Sequence, residues 1–149
     1  MELLTGEFKI TLDDKGRVSL PSRLRGGLPE NVLILTKGIE KCLWLFPPDQ
    51  WKNVSKKLLD SASLSLEKSN LVQHRFIAPA QEIEIDKSGR VAVPQSLRDF
   101  AGLTRDCLIL GIEKYIEIWD VDRYDAYWKA NEEKFKHVLE EMGPVSLFL

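Results

Sequence analysis

Cysteine and histidine are scarce in this chain, which holds two of each among 149 residues. Cys42 and Cys107 form no Cys-Xaa-Xaa-Cys pair and neither lies near a histidine. A disulfide framework or a zinc site therefore has no support, and both are expected to be buried, reduced thiols. His74 and His137 fall in expected helices without metal-ligand spacing. Long apolar runs are missing as well. The most apolar stretch, Cys42 to Phe46, stops at Pro47-Pro48, and Met1-Glu2-Leu3-Leu4-Thr5-Gly6 carries no basic or apolar leader, so neither secretion nor a membrane span is predicted. There is no glycine-rich phosphate loop, no nucleophile elbow and no cysteine with a partnering histidine. No enzyme, cofactor, metal or small-molecule substrate is expected. An excess of one charge is also absent: the formal net charge is −2 and the pI about 5.8, so any attraction to a polyanion must be local.

What is present is ordinary globular usage, 44% hydrophobic and 30% charged, which suits a soluble, cytoplasmic protein with its own core. Its most informative feature is a repeat. Shifted by 73 residues, Leu12-Asp13-Asp14-Lys15-Gly16-Arg17-Val18-Ser19-Leu20-Pro21-Ser22-Arg23-Leu24-Arg25 aligns with Ile85-Asp86-Lys87-Ser88-Gly89-Arg90-Val91-Ala92-Val93-Pro94-Gln95-Ser96-Leu97-Arg98, identical at seven of fourteen positions. Average usage would give about one. The likeness continues where Cys42 to Phe46 falls on Tyr115 to Trp119. Two copies are too few for a stacked array, which leaves a pseudo-symmetric pair.

Each copy repeats one order of elements. Phe8, Ile10 and Leu12 alternate with polar residues, as do Ile83 and Ile85, the period of a half-buried strand. The Asp and Gly of Asp-Xaa-Xaa-Gly close a tight turn, Asp by accepting backbone amides and Gly by taking positive φ. Val18 and Leu20, and Val91 and Val93, resume the alternation until Pro21 or Pro94 opens a short helix, ended at Gly26-Gly27 or Gly102. Val32 to Leu35 and Cys107 to Leu110 read as buried strands, followed by turns at Lys37-Gly38 and Gly111. Return strands over Cys42 to Phe46 and Tyr115 to Trp119 lead into helices begun near Asp49 and Asp120. The resulting α+β division is a first β-module over 5–52, a helical connector over 53–79, a second module over 80–125, and a C-terminal helix with an apolar tail over 126–149. The connector is expected as two helices, Trp51 to Leu59 and Leu66 to Phe76, parted by Ser61-Ala62-Ser63. The last helix places Tyr124, Tyr127, Trp128, Asn131, Phe135, Val138, Leu139 and Met142 on one face, a stripe expected to be core or interface.

The Asp and Gly of the repeat are explained by turn geometry, but a turn needs no arginine. Arg17 and Arg90 directly follow the glycines, where a two-stranded ribbon can offer them to a phosphate or a guanine edge. The structural alternative is that each arginine bridges to its hairpin Asp and pins the turn. Both roles are compatible. Local charge agrees with a polyanion: Lys9, Lys15, Arg17, Arg23 and Arg25 outweigh Asp13 and Asp14 by three, and Lys87, Arg90, Arg98 and Arg105 outweigh Asp86 and Asp99 by two, in a chain that is acidic elsewhere.

With Gly6-Glu7-Phe8, Leu12 to Arg17, Pro21, Asp86 to Pro94 and Ile118-Trp119-Asp120, the sequence resembles the MraZ family and, more distantly, AbrB-like swapped-hairpin DNA-binding domains. The resemblance implies two pseudo-symmetric swapped-hairpin modules forming a small barrel-like core with flanking helices. It implies a transcriptional regulator of the division and cell-wall gene cluster, nucleoid-associated, assembled as a ring-shaped homo-oligomer, octamer-like or larger. Its hairpins would meet double-stranded DNA at repeated promoter boxes. Carried over, the DNA-binding positions are Asp13, Lys15 and Arg17 in the first copy and Asp86, Lys87 and Arg90 in the second, to which local charge adds Arg23 and Arg25. Because Lys15 is matched by Ser88 and Arg23 by Ser96, the first hairpin is expected to be the stronger contact. The competing reading is an antitoxin-like protein-interaction module on the same fold, with the tail Val145 to Leu149 as its distinguishing feature.

Overall fold

The computed structural model describes residues 4–62 and 65–143. Its elements are β1 (Leu4–Thr11), β2 (Arg17–Ser19), α1 (Ser22–Gly26), β3 (Val32–Lys37), β4 (Leu43–Phe46), α2 (Pro48–Ala62), α3 (Leu66–Val72) continuing into a π-helical turn (Gln73–Ile77), β5 (Gln81–Glu84), β6 (Arg90–Ala92), α4 (Gln95–Ala101), β7 (Asp106–Glu113), β8 (Ile116–Asp120) and α5 (Val121–Met142). The chain is α+β, as expected.

Four of the six strand pairings among the described residues join the two halves of the chain. A six-stranded antiparallel sheet runs β1-β7-β8-β4-β3-β5, and β2 and β6 form a separate two-stranded ribbon. First-half β1 lies on second-half β7, and second-half β5 lies on first-half β3. Where like meets like, the partners are residues 73 apart: Val18 faces Val91 in the ribbon, and Trp44 faces Glu117 in the sheet. A pseudo-twofold axis through those two pairs relates the halves. The sheet is open, with β1 and β5 as its outer strands, so the expected barrel-like core is not a closed barrel.

The apolar runs behave as strands buried on both faces. In β4, β7 and β8, Leu43, Leu45, Cys107, Ile109, Ile116 and Ile118 point to one side, into a core shared with Val18, Leu20, Leu24, Val91, Val93 and Leu97 from the ribbon and the short helices. Trp44, Phe46, Leu108, Leu110 and Trp119 point to the other side, where α2, the π-helical turn and α5 cover them through Trp51, Val54, Phe76, Tyr124 and Tyr127. Burying an aliphatic side chain such as Val18 or Val91, both 0% exposed, contributes about 1.5–3 kcal/mol. The ribbon is thus glued to the sheet by its apolar face and leaves its turns outside. Thr36, a buried polar residue of the core, donates its hydroxyl to Phe76 O at 2.7 Å, tying β3 to the π-helical turn. Asp120 caps α5 as expected, accepting from Arg123 N–H.

Some expectations are corrected. β7 runs past Gly111, because β1 and β8 hold it on both sides through Gly6 and Ile116. The turn is made instead at Glu113, with φ +69, and Lys114 N–H donating to Ile112 O. The helix placed at Trp51 to Leu59 extends over Pro48–Ala62, so Ser61 and Ala62 are helical and not a break. On α5 the aromatic stripe divides: Tyr124 and Tyr127 pack on the sheet, whereas Phe135, Val138 and Met142 are exposed. The apolar tail lies outside the described residues.

Candidate nucleic-acid interface

Both hairpins are built on the same bonds. Asp13 N–H donates to Arg17 O at 2.9 Å and Gly16 N–H to Asp13 O at 3.1 Å; Asp86 N–H donates to Arg90 O at 2.9 Å and Gly89 N–H to Asp86 O at 3.0 Å. One carboxylate oxygen of Asp13 accepts from Lys15 N–H and Arg17 N–H, and that of Asp86 accepts from Ser88 N–H and Arg90 N–H. The turn role read from the sequence is therefore realised. The bonds from the Arg17 amide, with the Arg17 side chain and the Lys15 amide, hold the Asp13 carboxyl below its ordinary range, and Arg90 and Ser88 do the same for Asp86.

The second carboxylate oxygen engages the arginine. Arg17 Nε donates to Asp13 Oδ2 at 2.8 Å, and Arg90 Nε to Asp86 Oδ2 at 3.1 Å. Each contact is single, made through Nε, and among the described residues the terminal Nη groups donate to nothing in the protein. Aspartate thus aims the arginine without occupying the fork that grips a phosphate or a guanine edge. The pinning role and the presenting role belong to one side chain. At 25% and 34% side-chain exposure, Arg17 and Arg90 are sheltered enough to be held and open enough to be reached.

The hairpins stand side by side. The register Arg17↔Ala92, Val18↔Val91 and Ser19↔Arg90 sets the two arginines on neighbouring strands at opposite ends of a three-pair ladder. Leu20 N–H extends that ladder to Gly89 O, and Val93 N–H extends it to Gly16 O, both at 2.9 Å.

The model of the family described as "MraZ protein, putative antitoxin-like" matches residues 3–75 and again residues 76–143. The chain belongs to the MraZ family. Similar relatives are each named "Transcriptional regulator MraZ". That of Treponema denticola is 47% identical over 95% of this chain and 99% of its own length. That of Treponema pallidum is 46% identical over 96% of each chain. That of Natranaerobius thermophilus is 36% identical over 94% of this chain and 96% of its own. A solved structure titled "The solution structure of PHS018 from pyrococcus horikoshii" aligns with 79% of this chain and 89% of that one at 17% identity and a TM-score of 0.32, too slight a likeness to argue from.

Within this MraZ-family chain, Lys15 and Lys87 are exposed on the two turns, and Arg23 is exposed on α1. Arg25 is exposed too, but it is engaged: its Nε donates to Leu20 O, and its guanidinium lies against Gly89 of the opposite hairpin, 2.7 Å from where a side chain would begin. Arg98 is its counterpart, donating from Nη1 to Val93 O and lying against Gly16. Sequence reasoning counted Arg98 only as charge. The signal was there, since Arg25 and Arg98 are among the identical positions of the repeat and no turn requires them.

Among the described residues no helix is long and apolar enough to cross a membrane, and no group of three or more His, Cys, Asp or Glu could hold a metal ion.

Proposed function

We propose that this protein is a DNA-binding transcription regulator whose paired hairpins present Arg17 and Arg90 to duplex DNA. One observation carries the reading: two aspartate-anchored arginines stand on adjacent strands, held through Nε, with no partner for their Nη groups among the described residues. The names of its relatives point the same way. Lys15, Lys87 and Arg23 add charge around the turns, suited to phosphates, which fix register, while the arginine forks suit base edges, which carry sequence. Asp13 and Asp86 act by aiming the arginines. The halves act as AbrB-like swapped-hairpin modules, and several chains form a ring-shaped homo-oligomer, octamer-like or larger, that engages repeated promoter boxes of the division and cell-wall gene cluster on the nucleoid. Linking weak contacts gains about 10²–10⁴ in affinity where geometry allows simultaneous engagement. That gain offsets a net charge of −2. Anisotropy titration of the gene's own upstream DNA, with Arg17→Gln and Arg90→Gln compared at several salt concentrations, tests the assignment; affinity and slope unchanged in both variants would refute it.

A second reading is favoured by the exposed Phe135, Val138 and Met142 on α5: an antitoxin-like module that holds another protein on that face. Phe135→Ser with Val138→Ser would then abolish partner capture while leaving DNA affinity intact.

A further inference from the structure

We propose that Arg25 and Arg98 are positioning residues that lock the two hairpins into a single reading unit, each arginine holding the hairpin of the opposite half. The inference rests on the hairpins being the DNA-reading elements, but its structural basis is separate. Leu20 donates its N–H to Gly89 O and offers its carbonyl to Arg25 Nε, and the Arg25 guanidinium returns to lie on Gly89. Val93 donates its N–H to Gly16 O and offers its carbonyl to Arg98, whose guanidinium returns to lie on Gly16. Two closed circuits, related by the pseudo-twofold axis, cross from each half to the other.

The ribbon needs such bracing. Its buried Val18, Leu20, Val91 and Val93 fix its base to the sheet, but its ladder is only three residue pairs long. The turn residues Asp14, Lys15, Lys87 and Ser88 are exposed and carry no apolar anchor of their own. What fixes one turn relative to the other is the ladder, its two glycine extensions and the two guanidinium planes. The glycines serve that closure twice over. Gly16 and Gly89 have φ of +76 and +80, and each is also the surface on which an arginine rests, so a side chain there would displace the brace. A guanidinium suits the task because it is flat and keeps donors in its plane, whereas a lysine ammonium offers only a point charge. Holding Arg17 and Arg90 at fixed separation removes an ordering cost that would otherwise fall on binding, and it favours sites whose contacts match that separation.

The test uses the full chain with Arg25→Gln, Arg98→Gln, Arg25→Lys and, as a reader control, Arg17→Gln. Amide exchange is followed at Lys15, Arg17, Ser88 and Arg90. Because Leu20, whose carbonyl Arg25 holds, donates its N–H to Gly89 O, loss of Arg25 is expected to speed exchange in the Asp86–Arg90 hairpin by about tenfold, and loss of Arg98 to do so in the Asp13–Arg17 hairpin through Val93 and Gly16. Exchange that rises only in the substituted residue's own half, or in neither, overturns the brace. DNA affinity is read in parallel on the upstream fragment and on an unrelated duplex over a salt series. Arg25→Gln and Arg25→Lys should both lower the ratio of specific to unrelated affinity by about tenfold without changing the salt slope. A direct phosphate contact would instead flatten the slope by about 0.9, weaken both duplexes alike and be rescued by lysine, and that result overturns a positioning role. Crossed exchange with an unchanged ratio also overturns it, provided Arg17→Gln weakens binding. If Arg17→Gln has no effect, the hairpin reading fails instead, and the exchange data still decide the brace.

Discussion

Replacing Gly16 by alanine should expose how the hairpin and its brace are coupled. Two costs can be worked from the structure. At φ +76 an alanine pays left-handed strain of about 1–2 kcal/mol. Its methyl group would also overlap the Arg98 guanidinium. That guanidinium is the far end of a flexible, half-buried side chain, so it swings aside at the cost of its bond to Val93 O, about 1.5 kcal/mol net. The sum is about 2.5–3.5 kcal/mol, or about 5–14 °C in Tm for a chain of this size. Arg98→Gln alone should cost the second part together with the exposed bond from Nη2 to Gln95 Oε1, 2.7 Å long. In Gly16→Ala with Arg98→Gln the hydrogen bond to Val93 O cannot be lost twice, so the double variant should be about 1.5 kcal/mol more stable than additivity requires. Urea unfolding of the four proteins at one protomer concentration measures the cycle. Additivity within about 0.3 kcal/mol would refute the contact, and a neutral Gly16→Ala would refute the turn geometry itself.

Further outcomes are expected elsewhere in the molecule. Thr36→Val removes the buried hydroxyl that satisfies Phe76 O and should cost about 1–3 kcal/mol in urea unfolding, although its shape is kept. Asp13 and Asp86 titrate below their ordinary value of 3.8 in the folded chain, so their contribution is in place above that pH and is lost as pH falls below it. NMR shifts of the Lys15, Arg17, Ser88 and Arg90 amides should move together in that acid range, and Asp13→Asn should silence the first pair only. Burial raises the thiol of Cys42 and pushes that of Cys107 up to about 11. A thiol reagent at about pH 8 should leave both unmodified in the folded protein and label both in denaturant.

The repeat made much of this legible before any coordinate. Asp13 and Gly16 spell a turn locally, since the carboxylate bonds amides of its own turn, and local chemistry can be read from local sequence. The continuous apolar runs of β4, β7 and β8 likewise report strands covered on both faces. Partnership was not legible. Alternation tells which face a residue takes but not which strand lies beside it, so the crossing of β1 to β7 and of β5 to β3 had no signature. The same blindness hid the brace. Charge counting placed Arg25 in a basic patch, yet its guanidinium is committed to a carbonyl and a glycine that the chain brings together from positions 20 and 89. The α5 stripe divided for a related reason: periodicity marks one face of a helix, but the sheet is long enough to cover only its first turns, through Tyr124 and Tyr127.

The central claim is that Arg17 and Arg90, aimed by their aspartates, read DNA. Its most direct test is a salt-titrated anisotropy measurement on the upstream fragment with Arg17→Gln, Arg90→Gln and both together, particle mass being followed to keep assembly constant. Each lost base-edge fork should cost about 1–3 kcal/mol, or about 5- to 150-fold in affinity per site, with Arg17→Gln the larger. Retention of full affinity by the double variant, with assembly unchanged, would contradict the account.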